Sequence, residues 1–137
     1  MEKSPKELME IAYENRKKAY APYSHFLVGA ALLTTDGEVF GGCNIENAAF
    51  TPGNCAERTA VFKAVSEGKK TFEAIAIVGG KEGEEISRLC APCGVCRQVL
   101  REFCDPETFI LYLTDGKEIF SYKLEELLPL SFGSDNL

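Results

Sequence analysis

Tryptophan is absent from this chain of 137 residues, and histidine occurs once, as His25. No apolar run approaches the length of a membrane span, which excludes a transmembrane helix as the organising element. Basic residues are in deficit: 15 Lys and Arg face 21 Asp and Glu, giving a net charge of -6 and a pI of about 4.9. Phosphate binding needs a basic face, so nucleic acid is not expected as a partner, and a phosphorylated substrate would be weakly repelled. The N-terminal stretch Met1 to Pro5 is charged and has no apolar segment of the signal-peptide kind, so a cytoplasmic protein is expected. Internal repeats, low-complexity segments and linkers are also missing.

The chain is long enough to bury a core of its own, and residues 1–137 read as a single domain. Against that ordinary background six cysteines stand out: Cys43, Cys55, Cys90, Cys93, Cys96 and Cys104. An even count could form a disulfide framework. In a chain of this size without a secretory signal, metal binding or catalysis is the stronger reading.

Ser4-Pro5-Lys6-Glu7 has the form of a capping box with proline at the first helical position, and predicts a helix over about 5–19. Ala21-Pro22-Tyr23-Ser24 breaks it. Strands are predicted over 26–34 and 39–44, around the hairpin signal Asp36-Gly37. The segment 44–54 reads as a loop. Asn54 is a candidate cap for a helix from Cys55 to Gly68. Phe72 to Val78 is a strand closed by Gly79-Gly80, followed by a charged loop. Pro92 opens a third helix through Phe103. Strands at 108–114 and 118–122 flank Asp115-Gly116, and a short helix at 124–128 stops at Pro129. The order α-β-β-α-β-α-β-β-α predicts an α/β fold of three layers, α/β/α, around one mixed five-stranded sheet.

The chemistry is concentrated in Cys55-Ala56-Glu57 and Pro92-Cys93-Gly94-Val95-Cys96. Cys93 and Cys96 are three apart on a predicted helix and share a face. Cys55 opens another helix. Helix N-termini favour thiolate over thiol. Three thiolates can hold Zn²⁺ and leave a fourth position for a water, whose pKa the metal lowers toward neutrality. Glu57 is placed to carry that water's proton. Arg58 and Arg97 lie beside ligands in sequence and could donate hydrogen bonds to sulfur. The competing reading is a closed structural site with Cys90 as a fourth thiolate, beside which Glu57 would have little purpose. Cys43, Cys90 and Cys104 otherwise read as small buried hydrophobes. His25 is not needed as a ligand and reads as a local hydrogen-bonding residue before the strand at Phe26.

Cys-Ala-Glu followed by Pro-Cys-x-x-Cys resembles the signature of the zinc-dependent cytidine deaminase superfamily. The similarity is finest to the small homotetrameric enzymes that act on free nucleosides. It runs through Tyr23-Ser24, Phe26, Val28 to Ala31, Cys43 to Ala48, Cys55 to Ala60, Pro92 to Gln98, and Leu127 to Pro129 with Phe132. The resemblance implies one Zn²⁺ per chain on Cys55, Cys93 and Cys96, with Glu57 as the proton shuttle. It implies that Asn44 and Glu46 hold the ribose hydroxyls, that Phe26 packs on the pyrimidine, and that the Ala56 backbone lies near the base carbonyl. It also implies a homotetramer with shared sites, in which Phe132 approaches the substrate. Phe50 departs from the pattern, where tyrosine is common, as does Pro52-Gly53. Taken by themselves, Asn44 and Glu46 could be turn residues and Phe26 could be core, although the alternation of Asn44 and Glu46 suits two side chains on one side of an extended segment. The reaction implied is hydrolytic deamination of cytidine and 2′-deoxycytidine. The rivals are a deaminase of another aminopyrimidine nucleoside analogue and a zinc-stabilised binding module without activity.

Overall fold

The computed structural model describes residues 3–137; Met1 and Glu2, the start of the charged N-terminal stretch, lie outside the described residues. Helix α1 spans Pro5–Arg16, and its capping box forms as the sequence predicts. Glu7 N–H donates to Ser4 Oγ at 3.1 Å, and Ser4 N–H donates to the Glu7 carboxylate at 3.0 Å. The helix ends three residues earlier than predicted. Lys18 and Ala19 donate to the carbonyls of Asn15 and Arg16 in tightened turns, and Tyr20 leaves to bridge with Ile45.

Strands β1 (Phe26–Thr34) and β2 (Val39–Cys43) form the predicted hairpin, with Gly37 at φ 91 in its turn. Helix α2 (Ala56–Ser66) leads to β3 (Phe72–Lys81), which pairs antiparallel with the other edge of β1. Helix α3 (Gly94–Phe103) carries the crossover to β4 (Ile110–Thr114), the one strand parallel to its neighbour β3. Strand β5 (Ile119–Lys123) and the short helix α4 (Leu124–Leu127) follow. The sheet order is β2-β1-β3-β4-β5. This is the expected mixed five-stranded sheet. A final 3₁₀ turn at Ser134–Asn136 has no counterpart in the sequence reading.

Two expectations need correction. Strand β3 does not close at Gly79-Gly80 but runs through both glycines to Lys81, paired with Val28, Leu27 and Phe26. Gly79 is there for space, because a Cβ would sit 2.6 Å from Cys90 Sγ. Asn54 does not cap α2. Cys55 occupies the cap position, and Asn54 Nδ2 donates to Thr59 Oγ1 at 3.2 Å instead.

The central strands are buried on both faces, which explains why β1 and β3 read as nearly continuous apolar runs. On one face Leu8, Met9 and Ala12 of α1 pack against Ala31, Leu33, Ala76 and Val78. On the other, Ala60, Val61 and Ala64 of α2, Leu100 of α3 and Leu124 of α4 pack against Leu32, Ile75, Ile77, Leu111 and Leu113. Each such large side chain taken fully out of water contributes about 1.5–3 kcal/mol. Both helix layers press unusually close to the sheet. A Cβ on Gly29 would meet the Ala12 carbonyl oxygen at 2.0 Å, and one on Gly42 would meet that of Ala56 at 2.3 Å. The second approach fixes the N-terminal turn of α2 against β2, and that turn carries the chemistry.

Candidate metal centre and substrate cleft

Cys55 caps α2 and Cys93 caps α3, both with extended backbone, so the two helix N-termini face one point. Cys96 lies in the first turn of α3 and is buried. The sulfurs of Cys55, Cys93 and Cys96 all lie within 4.8 Å of one another. Cys55 Sγ is 3.8 Å from Cys93 Sγ, which is 3.4 Å from Cys96 Sγ. A tetrahedral zinc with Zn–S near 2.3 Å separates its sulfurs by about 3.8 Å, so the three thiols suit zinc with little movement.

The surroundings suit a centre rich in negative charge. Arg58 Nη2 donates to Cys55 Sγ at 3.4 Å, and Arg58 Nε is buried without a partner among the described residues. Cys96 N–H donates to Cys93 Sγ at 3.5 Å. A hydrogen bond from the Cys96 thiol, then the Arg58 donors, hold Cys55 down to about 5, while Cys96 keeps its proton and is raised. Arg97 does not reach sulfur as expected. Its guanidinium donates to the carbonyls of Pro92 (2.7 Å) and Leu127 (2.5 Å), tying the start of α3 to α4. Cys90 is outside the cluster. Its sulfur fills the space over Gly79, and burial pushes its thiol up to about 12. Cys104 is buried and likewise raised to about 12, whereas Cys43 is only half-buried.

Glu57 projects from the first turn of α2 and is 4 % exposed. Burial pushes its carboxyl up to about 7; its own backbone N–H and Arg58 oppose this, and the Cys55 thiolate adds to it. A dication among the thiols would pull it back down.

A cleft of about 530 Å³ opens beside Cys55 and Arg58, lined also by Ser24, Asn44, Glu46 and Phe50. Asn44 Nδ2 donates to the Phe26 carbonyl and its Oδ1 accepts from Val28 N–H, each at 2.8 Å. Glu46 accepts from the backbone of Tyr23 and Ser24 and from the Ser24 hydroxyl. Phe26 is 37 % exposed rather than core, but it lines a second hollow with Gly79 and Leu89 instead of the cleft itself. Ala56 is fully buried. Phe132 is 58 % exposed and lines neither hollow. The tail carrying it is fastened to α3: Gln98 donates to the Phe132 carbonyl, and Arg101 binds Ser131 Oγ and Asp135. The backbone of His25 donates to the Ala21 carbonyl and accepts from Glu82 N–H, while its exposed imidazole Nδ1 lies 3.6 Å from the Glu82 carboxylate. Ser24 belongs to the motif that carries the resemblance, but the sequence assigns it no role of its own. Its signal was a hydroxyl two residues before a strand, a common partner for a nearby backbone N–H.

The family model for the cytidine and deoxycytidylate deaminase zinc-binding region matches residues 2–112. A cytidine deaminase of Sporosarcina psychrophila is 50 % identical over 123 residues, covering 89 % of this chain and 86 % of the relative. One from Halalkalibacterium halodurans is 45 % identical over 95 % of each chain. Among solved structures, the crystal structure of cytidine deaminase from Burkholderia pseudomallei superposes with a TM-score of 0.85 at 47 % identity, covering 95 % of this chain and all of that one.

The cluster geometry predicts how zinc responds to cysteine replacement. Cys90→Ser retains about one zinc per chain, whereas Cys93→Ser loses it, read by elemental analysis of the purified variants. Loss of zinc in Cys90→Ser would restore the closed four-thiolate site.

Proposed function

The chain belongs to the cytidine and deoxycytidylate deaminase family, and on that premise we propose that it hydrolyses cytidine and 2′-deoxycytidine to uridine and 2′-deoxyuridine, releasing ammonia. One observation carries the reading: a buried carboxyl, Glu57, two residues from a three-thiol cluster that fits one zinc per chain. When bound, the metal supplies a water acidic enough to be deprotonated near neutral pH.

Cys55, Cys93 and Cys96 are the proposed ligands. Glu57 takes the proton of the attacking water and delivers it to N3 of the ring, which makes C4 electrophilic. Water oxygen bonds to C4, and Glu57 takes the remaining proton from that oxygen and passes it to the exocyclic amine. The C4–N bond then breaks and ammonia leaves, with the ring carbonyl formed in its place. A carboxyl lifted by burial is suited to accept and return protons. Arg58 steadies the charge on Cys55. Asn44 and Glu46 are the proposed sugar contacts, since both line the cleft beside the thiols. Phe26, exposed in the neighbouring hollow, and the Ala56 backbone are the contacts that the family resemblance implies for the ring and the base carbonyl. The reading gives the protein, a single domain over 1–137, a place in pyrimidine salvage in the cytoplasm. No helix among the described residues is long and apolar enough to cross a membrane.

Turnover of cytidine, followed by the change in ultraviolet absorbance, tests the function. Glu57→Gln keeps zinc and fold and loses turnover by roughly 10²–10⁴-fold or more, because an amide can neither take nor return the proton. Near-normal turnover by a zinc-loaded Glu57→Gln protein would remove Glu57 from the reaction. A wild-type protein that deaminates only another aminopyrimidine nucleoside would overturn the substrate.

We also propose a homotetramer in which Phe132 enters a neighbour's site. The support is an exposed aromatic ring on a tail that Gln98 and Arg101 hold in place. Closing a small-molecule site against water favours the chemistry. Truncation after Leu130 then cuts activity strongly and leaves zinc bound, measured by turnover together with light scattering. A fully active monomer would contradict the shared site.

A further inference from the structure

Between α1 and β1 the chain makes a tight turn whose polar groups converge on one hydroxyl. Glu46 Oε1 accepts from the backbone N–H groups of Tyr23 (3.0 Å) and Ser24 (3.1 Å), and Oε2 accepts from the Ser24 hydroxyl. The same Ser24 oxygen accepts the N–H of Phe26 at 3.0 Å. The roles are fixed, because a backbone amide only donates and an ionised carboxylate only accepts. The hydroxyl therefore relays between strand and carboxylate with its proton directed at Glu46.

The geometry around the relay is held from both sides. His25 sits at φ 58, a left-handed conformation uncommon outside glycine. Its N–H donates to the Ala21 carbonyl at 3.0 Å, and its own carbonyl accepts from Glu82 N–H at 2.7 Å. Lys81 Nζ lies 3.3 Å from the Ser24 carbonyl. At the far end Asn44 Nδ2 donates to the Phe26 carbonyl, so Phe26 is bonded through both its N–H and its C=O. A carboxylate offers about four acceptor positions, and the turn fills three on Glu46. The turn thereby decides where the remaining acceptor points, and Glu46 lines the cleft.

We propose that Ser24 is a positioning residue for nucleoside binding, its hydroxyl locking Glu46 and the start of β1 into one arrangement. The proposal rests on the reading of Glu46 and Phe26 as substrate contacts. Ser24 lies outside the proton path and acts through those two residues, so its removal weakens binding more than it slows the chemical step.

The experiment measures kcat and KM for cytidine, on zinc-loaded protein, in Ser24→Ala, Ser24→Thr, Glu46→Gln and the Ser24→Ala/Glu46→Gln double variant. Loss of a hydrogen bond to a charged group predicts a rise in KM of roughly tenfold or more for Ser24→Ala, with a smaller change in kcat. Threonine keeps the hydroxyl and rescues KM. The double variant is no worse than Glu46→Gln alone, as expected for two residues acting through one contact. If Glu46→Gln raises KM and Ser24→Ala does not, the role of Ser24 is overturned and Glu46 still stands as a contact. If the two effects multiply, Ser24 does not act through Glu46 and the proposal fails. If neither variant moves KM, Glu46 is not a substrate contact and the proposal falls with it. Should Ser24→Ala fail to fold, Ser24→Cys keeps the volume with a poor donor. Equal KM values for the cysteine and threonine variants would then overturn the proposal.

Discussion

Everything in the site depends on α2 lying close enough to the sheet for its first turn to pack directly on the backbone of β2. Gly42 of β2 permits this, since any side chain there would collide with the Ala56 carbonyl. The turn so fixed carries Cys55 at the cap, Glu57 in a buried position and Arg58 against the Cys55 sulfur. The crossover from β3 to β4 delivers the cap of α3 to the same point, because α3 packs on the same face as α2. Two helix ends then face the same three sulfurs, and the partial positive charge at each end favours thiolate over thiol there.

The cleft shows a second economy of construction. Asn44 and Glu46 line it, yet each also bonds to the backbone around Phe26. Residues that read as ligand contacts are thus part of the frame that aims them. This removes the opposition between a turn residue and a sugar contact for Asn44 and Glu46. One amide or carboxylate has enough donor and acceptor positions for both.

What was legible in the sequence followed from local signals. Ser4-Pro5-x-Glu7, Asp36-Gly37 and Gly68 each punctuated an element where the structure has one, and the thiol cluster was readable from spacing and helix starts. The errors arose where distant atoms decided. Strand β3 continues past Val78 because β1 supplies partners for Gly79 and Gly80, and sequence adjacency does not reveal that the Cys90 sulfur occupies the missing side-chain space. Arg97 stands next to a ligand in the chain but points toward α4, since helical geometry turns adjacent residues about 100° apart. Asn54 gave a good capping signal, yet the metal-binding role claimed the cap position for Cys55 one residue later. The fastening of the tail by Gln98 and Arg101 was illegible because it joins segments 30 or more residues apart.

The central claim is that a three-thiol zinc centre and a neighbouring carboxyl together deaminate a nucleoside. The most direct test follows zinc content and cytidine turnover in one preparation of the intact protein, through chelation and stepwise return of Zn²⁺. The account predicts that activity falls with the metal and recovers in proportion to it, saturating at about one zinc per chain. Full activity in protein stripped of metal, or saturation with zinc and no turnover of cytidine or 2′-deoxycytidine, would contradict it.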